Sequence, residues 1–204
     1  MGKFSNLATM NLVLFDFDGT ITRDDSLLEF IAYVVGFKRF FRGILRLSPI
    51  LLGYKLGICS NNFTRRKLMV HFFGGMSVDK FAKICKKYST THIEDIIKFE
   101  AMTKIKEYQA NGDKVVIVTA SLEEWLAPWC QANGLELLGT KIEKKGGIIT
   151  GEIDGANCYG AQKVARIKEA YDISKFDKII AYGDSRGDKE MLEFADEAHF
   201  RAFE

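Results

Sequence analysis

The chain has few of the residues that form disulfide frameworks or bind zinc. Its 204 residues include four cysteines and three histidines, without a Cys-x-x-Cys pair. Because disulfide frameworks and zinc sites need cysteines or histidines at regular spacings, this scatter favours free thiols in a reducing compartment. The cysteines stand at positions 59, 85, 130 and 158, and the histidines at 71, 92 and 199.

Linkers and membrane-crossing runs are also missing. Pro49 and Pro128 are the two prolines, so no proline-rich linker divides the chain. No uninterrupted apolar run reaches the roughly 18 residues that a transmembrane helix requires. The first six residues lack the basic and apolar regions of a secretory signal, and Asn6 replaces the Ser or Thr expected for myristoylation of Gly2. We therefore expect a cytoplasmic protein.

The charge of the chain is unevenly distributed. A formal net charge of +2 gives no support for nucleic-acid binding, which usually requires a strongly basic domain. From Phe30 to Val78, however, there is no acidic residue, and the segment carries eight basic side chains. Such a shift in composition indicates a separate structural unit. The eight are Lys38, Arg39, Arg42, Arg46, Lys55, Arg65, Arg66 and Lys67.

The hydrophobic pattern predicts an α/β fold with a parallel sheet. Three short apolar runs read as buried strands, and helical patterns alternate with them. The strands are expected at Leu12–Phe15, Val115–Val118 and Lys178–Tyr182, the helices at Glu123–Ala132 and Ala161–Tyr171, and a hairpin at Leu137–Ile153 around Gly146-Gly147.

Residues 24–110 carry a helical pattern without a convincing strand. Ser77 is a plausible helix start, and Thr91 to Ala110 reads as one long helix. The pattern therefore predicts a Rossmann-like core of residues 1–22 and 111–204, interrupted after its first strand by a helical unit of residues 23–110.

Polar residues follow all three predicted core strands. Asp16 and Asp18 follow the first strand, Thr119 the second and Asp184 the third, while Lys163 opens a helix nearby. Because ligands of parallel sheets bind outside the carboxyl ends of the strands, these side chains are expected around one crevice.

The spacing of the acidic residues favours a metal site. Asp16 and Asp18 point to the same side while the chain stays extended, and their repulsion is tolerated where a cation binds. Asp184 suits a third ligand, and Asp188, one turn later, suits a partner that orients the site.

The end of the second strand suits a phosphate group. The hydroxyl of Thr119 and the following backbone N–H groups, beginning with Ala120, stand before a predicted helix. Ser121 is expected to be the N-cap of that helix, with Glu124 completing a capping box.

Together these residues resemble the four motifs of the haloacid dehalogenase superfamily, in the family's order. The motifs are Asp16-Phe17-Asp18-Gly19-Thr20, Val118-Thr119, Lys163 and Gly183-Asp184-Ser185-x-x-Asp188. The helical insertion after the first motif looks like the C1-type cap of subfamily IB, the phosphoserine-phosphatase-like branch.

The resemblance implies a Mg²⁺-dependent phosphomonoester hydrolase that forms an aspartyl-phosphate. Asp16 would attack phosphorus, and Asp18 would protonate the leaving oxygen and then activate water. Asp16, the Asp18 carbonyl and Asp184 would hold Mg²⁺. Thr119, the N–H of Ala120 and Lys163 would hold the phosphoryl oxygens.

The helical unit would choose the substrate, as caps do in this superfamily. Asp25 lies where phosphoserine phosphatases carry a substrate-contacting glutamate. Arg65 or Arg66 could meet a substrate carboxylate or second phosphate.

Lys38, Arg42 and Arg46 recur every four residues among many Phe and Leu residues and so share a helix face. Such a segment is either an ordinary cap helix or a helix lying on an anionic membrane. It is also similar to the apolar cap of bacterial phosphatidylglycerophosphate phosphatases. Small organic phosphates and lipid phosphates therefore both remain as substrates.

Three other functions compete with hydrolysis. A phosphotransferase would use the same aspartyl-phosphate, and a membrane-associated phosphate-binding module would lack turnover. Receiver domains share a phosphorylated aspartate, acidic residues, Thr or Ser and Lys, but lack the Asp-x-Asp-Gly-Thr spacing and a large insertion after the first strand.

Overall fold

A computed structural model describes residues 10–204 as a six-stranded sheet covered by helices. The predicted absence of targeting signals at residues 1–6 concerns a part of the chain outside this range. The strands are β1 Leu12–Phe15, β2 Lys114–Leu122, β3 Glu136–Lys145, β4 Ile148–Asp154, β5 Ile179–Gly183 and β6 Glu197–Phe200. The helices are α1 Ser26–Val35, α2 Phe37–Lys55, α3 Asn61–Phe73, α4 Val78–Thr91, α5 Ile93–Ile96, α6 Phe99–Ala110, α7 Glu123–Ala132, α8 Ala161–Ala170 and α9 Lys189–Phe194, with 3₁₀ turns at Ile173–Lys175 and Arg186–Asp188.

The sheet confirms the predicted Rossmann-like fold. Its strand order is β4-β3-β2-β1-β5-β6, and every pairing is parallel except that of β3 with β4. All four side chains of β1 are fully buried, which explains why this strand reads as an uninterrupted apolar run. Phe15 pairs in register with Ile117 on β2 and Tyr182 on β5, so the three strands end at one edge.

The hairpin and the two flanking helices also lie where the sequence predicts them. Strands β3 and β4 turn at Gly146 and Gly147, both of which have positive φ angles. Helix α7 spans the predicted residues, and α8 ends one residue before the predicted Tyr171.

The segment between β1 and β2 is helical, but its last part differs from the prediction. Ser77 caps α4 as expected, with its hydroxyl accepting a hydrogen bond from Lys80 N. The single helix expected from Thr91 to Ala110 is wrong, because α4 ends at Thr91 and Ile97 is extended before α6 begins.

The break at Ile97 has a tertiary cause. Ile97 forms an isolated antiparallel bridge with Thr22. Arg23 N donates to the Ile96 carbonyl and Lys98 N to the Ile21 carbonyl, each at 2.8 Å. The chain therefore leaves the sheet and returns to it through two hydrogen-bonded connections, and this pairing replaces helical hydrogen bonds that the local pattern favours.

Helix α6 packs on the sheet. The hydroxyl of Tyr108 lies 2.9 Å from that of Tyr182 on β5. The rings of Tyr108 and Phe15 pack edge-to-face. The division into a core of residues 1–22 and 111–204 and a cap of residues 23–110 stays a prediction, and these contacts favour a cap that ends near Ile97.

Aromatic packing joins the helical segment to α7, a helix that packs on the sheet. Phe30 on α1 stacks on Trp125 of α7 with ring centroids 4.3 Å apart, and it also contacts Phe73, Phe81 and Tyr88. All five side chains are buried in one hydrophobic cluster.

The described residues also bear on the expectations about membrane-crossing helices and free cysteines. Within residues 10–204, the structure contains no helix of sufficient length and apolar character to cross a membrane. All four cysteines are free, and three of them are buried.

Replacement of Phe30 by Ala should destabilise the protein by about 3–5 kcal/mol, because it leaves a cavity among four aromatic rings. Urea unfolding followed by circular dichroism measures this loss. Phe99→Ala is the matched control: Phe99 is 76% exposed, and its loss should change stability by less than about 0.5 kcal/mol. Equal effects of the two substitutions would contradict this account of the cluster.

Candidate active site

The side chain of Lys163 lies buried at the edge where β1, β2 and β5 end. Its Nζ donates to Asp16 Oδ1 at 2.5 Å, Asp188 Oδ1 at 2.6 Å and the Val118 carbonyl at 2.6 Å. Lysine has three donors, and all three are used. With 1% of its surface exposed, Lys163 stays charged because two carboxylates face it, and they raise its pKa against the effect of burial.

Asp188 holds this arrangement in place. Besides Lys163, it accepts hydrogen bonds from Ser185 Oγ at 2.7 Å, Ser185 N at 2.9 Å and Asp184 N at 3.2 Å. Although burial opposes its ionisation, Lys163 and Ser185 hold the pKa of Asp188 below its usual value. Asp188 thus orients Lys163 and the turn after β5, and its predicted role beside a bound metal stays a prediction.

Asp184 and Gly19 meet across the site. Asp184 Oδ1 accepts a hydrogen bond from the Thr20 hydroxyl at 3.2 Å. Gly19 has a φ of +81°, and a Cβ atom there would overlap the carboxylate of Asp184. Glycine is therefore required both for the turn after β1 and for the space that Asp184 occupies.

Asp18 turns away from Lys163 and towards the helical segment. Its Oδ1 accepts from Ser26 N at 2.8 Å, and its Oδ2 accepts from the Ser121 hydroxyl at 2.5 Å. Burial and the nearby charge of Asp25 raise the pKa of Asp18, whereas Arg65 and these hydrogen bonds oppose the rise.

The predicted capping role of Ser121 is wrong. Strand β2 continues through Leu122, which is the N-cap of α7 and makes no side-chain capping bond. The Ser121 hydroxyl is instead drawn to the carboxylate of Asp18 and lies 3.1 Å from Ser26 Oγ. A charge-assisted hydrogen bond of this kind is stronger than an ordinary cap.

Thr119 and Ala120 line the hollow in front of Asp16, as the sequence predicts. The Thr119 Oγ1 accepts a hydrogen bond from Ser121 N at 3.0 Å, which orients the hydroxyl and leaves its proton for a ligand. Helix α7 begins three residues after Ala120, at the predicted Glu123.

Three carboxylates of this edge could hold a metal ion. Asp16, Asp184 and Asp188 place oxygen atoms within 4.8 Å of one another. Together with the single ammonium of Lys163 they leave two negative charges, and an all-oxygen donor set suits Mg²⁺. Burial and the neighbouring carboxylate of Asp188 raise the pKa values of Asp16 and Asp184 against the opposing charge of Lys163, so a bound cation would favour their ionised forms. A divalent cation fits these residues, whereas the role of the Asp18 carbonyl as a ligand stays a prediction.

The predicted substrate residues of the helical segment are placed differently from one another. Arg65 lines the hollow and donates to Ser121 Oγ at 3.4 Å. Asp25 also lines it, but its Oδ1 caps α1 by accepting from Leu27 N and Leu28 N. Arg66 pairs with Glu152 at the surface and does not line the hollow, so Arg65 is the one of the two arginines that faces it. A contact with substrate stays a prediction.

Several residues of the site were missed by the sequence reasoning. Lys98 donates a hydrogen bond to the Gly19 carbonyl, and its positive charge opposes the burial that raises the pKa of Asp184. Only the return connection at Ile97 brings Lys98 there, so no local motif marks it. The hollow measures about 380 Å³. Besides the residues described above, its walls include Tyr54, Asn61, Tyr159, Ser185 and Arg186.

The parallel sheet and the charged site at the ends of its strands define a Rossmann-like α/β enzyme. The chain belongs to the haloacid dehalogenase-like hydrolase family, which matches residues 13–193. The predicted family and enzyme class are thereby confirmed.

Individual relatives cover nearly the whole chain. Protein CicA of Caulobacter vibrioides is 35% identical over 198 residues, which are 94% of this chain and 86% of CicA. A protein of unknown function from Bordetella pertussis Tohama I has a TM-score of 0.79 at 24% identity, covering 92% of this chain and 87% of that one. A phosphoserine phosphatase with a phospho-aspartyl intermediate analogue has a TM-score of 0.66 at 21% identity, covering 92% and 84%. The last two show a shared fold.

Mg²⁺ should raise the melting temperature of the protein, and the rise should grow from mildly acidic to neutral pH. Because the folded-state pKa values of Asp16 and Asp184 are raised, the metal-free protein has the stability from these groups below the ordinary carboxylate pKa and loses it as pH rises through the raised values. A bound metal ion takes the place of the protons on these carboxyl groups, so it should restore more of the lost stability at higher pH. At a hundredfold excess over Kd the gain is about 2.7 kcal/mol.

Differential scanning calorimetry with and without MgCl₂ measures this effect. Asp184→Asn should abolish the Mg²⁺-dependent rise, while Asp154→Asn, at an exposed position in β4, should retain it. A rise that is equal at all pH values, or unchanged in Asp184→Asn, would contradict the assignment of the cation site.

Proposed function

We propose that the protein is a Mg²⁺-dependent phosphomonoesterase that works through an aspartyl-phosphate at Asp16. The observation that carries this proposal is that the two acids of the first motif, Asp16 and Asp18, have different hydrogen-bond partners. Asp16 is held by the buried ammonium of Lys163, whereas Asp18, two residues later, faces the helical segment. One acid is thus oriented by a buried cation, and the other has separate partners.

The surroundings of Asp16 suit attack on phosphorus. Lys163 binds Oδ1 and orients the carboxylate, and its charge opposes the burial that raises the pKa of Asp16. In the ionised form, which a bound cation would favour, Oδ2 forms the bond to phosphorus as the ester oxygen leaves. Thr119 and the N–H of Ala120 would hold the phosphoryl oxygens, and Lys163, whose three donors are bonded within the protein, would attract these oxygens through its charge. Donors fixed in advance at such positions stabilise charge in the transition state without reorganisation.

Asp18 is suited to carry the proton. Its raised pKa favours the protonated acid that the leaving oxygen needs, and after transfer the carboxylate can take a proton from water. Ser26 and Ser121 fix both of its oxygens, so the acid stays in one orientation. General acid–base catalysis of this kind contributes about 10²–10⁴-fold in rate.

Asp16, Asp184 and the Asp18 carbonyl would hold Mg²⁺. When bound, the cation neutralises the repulsion between the carboxylates and the incoming phosphate and polarises a phosphoryl oxygen. The family assignment supports this reading, and so does the similarity in fold to a phosphoserine phosphatase that holds a phospho-aspartyl analogue.

The substrate is a small organic phosphate or the phosphate headgroup of a lipid. A hollow of about 380 Å³ accepts a compact group beside the phosphate. Arg65 and Arg186 on its wall favour a leaving group that carries a second negative charge.

Asp16→Asn should lower phosphate release from an aryl phosphate by at least about 10³-fold, because the amide cannot attack phosphorus. A phosphate-release assay with Mg²⁺ measures this, and Asp154→Asn should retain full activity. Full activity in Asp16→Asn, or none in the parent protein over a broad substrate panel, would contradict the proposal. Phosphoryl transfer to an added alcohol would instead identify the phosphotransferase that shares this intermediate, and phosphate binding without turnover the binding module.

Arg65→Met should raise KM for phosphate esters that bear a carboxylate by about 10–150-fold, which corresponds to a charged hydrogen bond of about 1.5–3 kcal/mol. A neutral aryl phosphate should be affected much less, so steady-state kinetics with both substrates separate recognition from catalysis. Arg66→Met, at the neighbouring surface position, is the matched control. An equal loss for both substrates would show that Arg65 acts on the chemistry and not on substrate choice.

A further inference from the structure

The outer side of α2 exposes large apolar side chains to an unusual extent. Of the thirteen exposed large hydrophobic residues in residues 10–204, seven lie between Phe37 and Ile58. Phe37 is 78% exposed, Phe41 61% and Leu45 65%. Because Phe37, Phe41, Leu45, Leu52 and Leu56 are separated by four or seven residues, they form one stripe, which we call the apolar stripe.

A row of basic residues runs beside the apolar stripe. Lys38, Arg42 and Arg46 each follow a member of the stripe by one position, which places them about 100° further around the helix axis. The other side of α2 packs against the protein core through Phe40, Ile44, Leu47 and Leu51. The exposed surface of α2 is therefore divided lengthwise into an apolar half and a basic half.

The basic half borders a hollow between α2 and α3. Arg39, Arg42, Arg46 and His71 surround a space of about 440 Å³, separate from the hollow at Asp16. With no acidic residue between Phe30 and Val78, the charge of this surface is positive throughout. Three guanidinium groups around one space suit a phosphate group.

We propose that α2 docks the protein on an anionic membrane surface, with the apolar stripe at the acyl boundary and Arg39, Arg42 and Arg46 among lipid phosphates. An amphipathic helix with a basic polar half and Phe and Leu on the other half binds membrane interfaces in this way. A second copy of the chain fits this surface poorly, because pairing through α2 would bring the two basic rows together. Nucleic acid would leave the stripe of Phe and Leu without a partner.

Docking through α2 would bring the membrane close to the catalytic hollow. Tyr54, near the end of α2, lines that hollow, and its hydroxyl accepts a hydrogen bond from Asn61 Nδ2 on α3. The docking itself requires no turnover, so it stands or fails independently of the proposed phosphatase activity.

Sedimentation with sucrose-loaded vesicles tests the docking. The protein should bind vesicles of phosphatidylcholine mixed with phosphatidylglycerol at least about tenfold more strongly than vesicles of phosphatidylcholine alone, and added salt should weaken the binding. Arg42→Gln with Arg46→Gln should weaken it by about 25-fold, since each basic residue near an anionic surface contributes about fivefold. Phe41→Ser with Leu45→Ser should weaken it at least about tenfold through the lost apolar insertion.

Two control proteins separate this surface from general charge and apolarity. Lys83→Gln with Lys87→Gln removes an exposed basic pair of the same spacing on α4, and Phe99→Ser removes an exposed aromatic residue on α6. Both should bind as the parent does, and circular dichroism with melting curves checks that every variant is folded. No preference for anionic vesicles, or equal binding by the α2 and control variants, would overturn the proposal. So would a dimer in light scattering that Phe41→Ser with Leu45→Ser converts to a monomer while vesicles bind nothing.

Discussion

The hydrogen bonds of the buried Lys163 ammonium hold together the edge of the sheet where β1, β2 and β5 end. The ammonium joins the first residue after β1, the last apolar residue of β2 before Thr119 and the turn after β5, so that three separate parts of the chain meet at one atom. A buried charge of this kind is tolerated only because it is paired on two sides and fully hydrogen-bonded. The same pairing lowers the pKa of Asp188 and opposes the effect of burial on Asp16, and it leaves the negative excess that suits a divalent cation. Geometry and electrostatics are thus fixed by one side chain.

Asp18 is tied to the helical segment, while Asp16 directly follows a strand of the sheet. Asp18 accepts from Ser26 N at the start of α1 and from Ser121 at the end of β2. Phe30, one turn further along α1, stacks on Trp125 of α7. The aromatic cluster therefore fixes where α1 begins relative to the sheet, and so fixes the orientation of Asp18.

The sequence was sufficient to predict the fold class, the three core strands, the hairpin and the cluster of Asp16, Thr119, Lys163 and Asp184, because each depends on a local pattern or on the rule that parallel strands end at one edge. It failed where tertiary contacts override local preference. Ile97 leaves the helix to pair with Thr22, and Ser121 gives up a cap to bond to Asp18. The positions of Lys98 and Arg66 could not be predicted from the sequence either, because contacts with residues distant in the chain determine them.

The paired connections at Thr22 and Ile97 also bear on how such a protein can diverge. The chain enters and leaves the helical segment at adjacent, hydrogen-bonded points. Insertions between neighbouring ends are tolerated because they do not disturb the register of the parent sheet. The intervening helices are thus free to change in length, charge and surface character during evolution, while Asp16, Lys163 and Asp184 keep their places at the edge of the sheet. The same set of charged residues at the sheet edge can in this way be combined with many different helical segments.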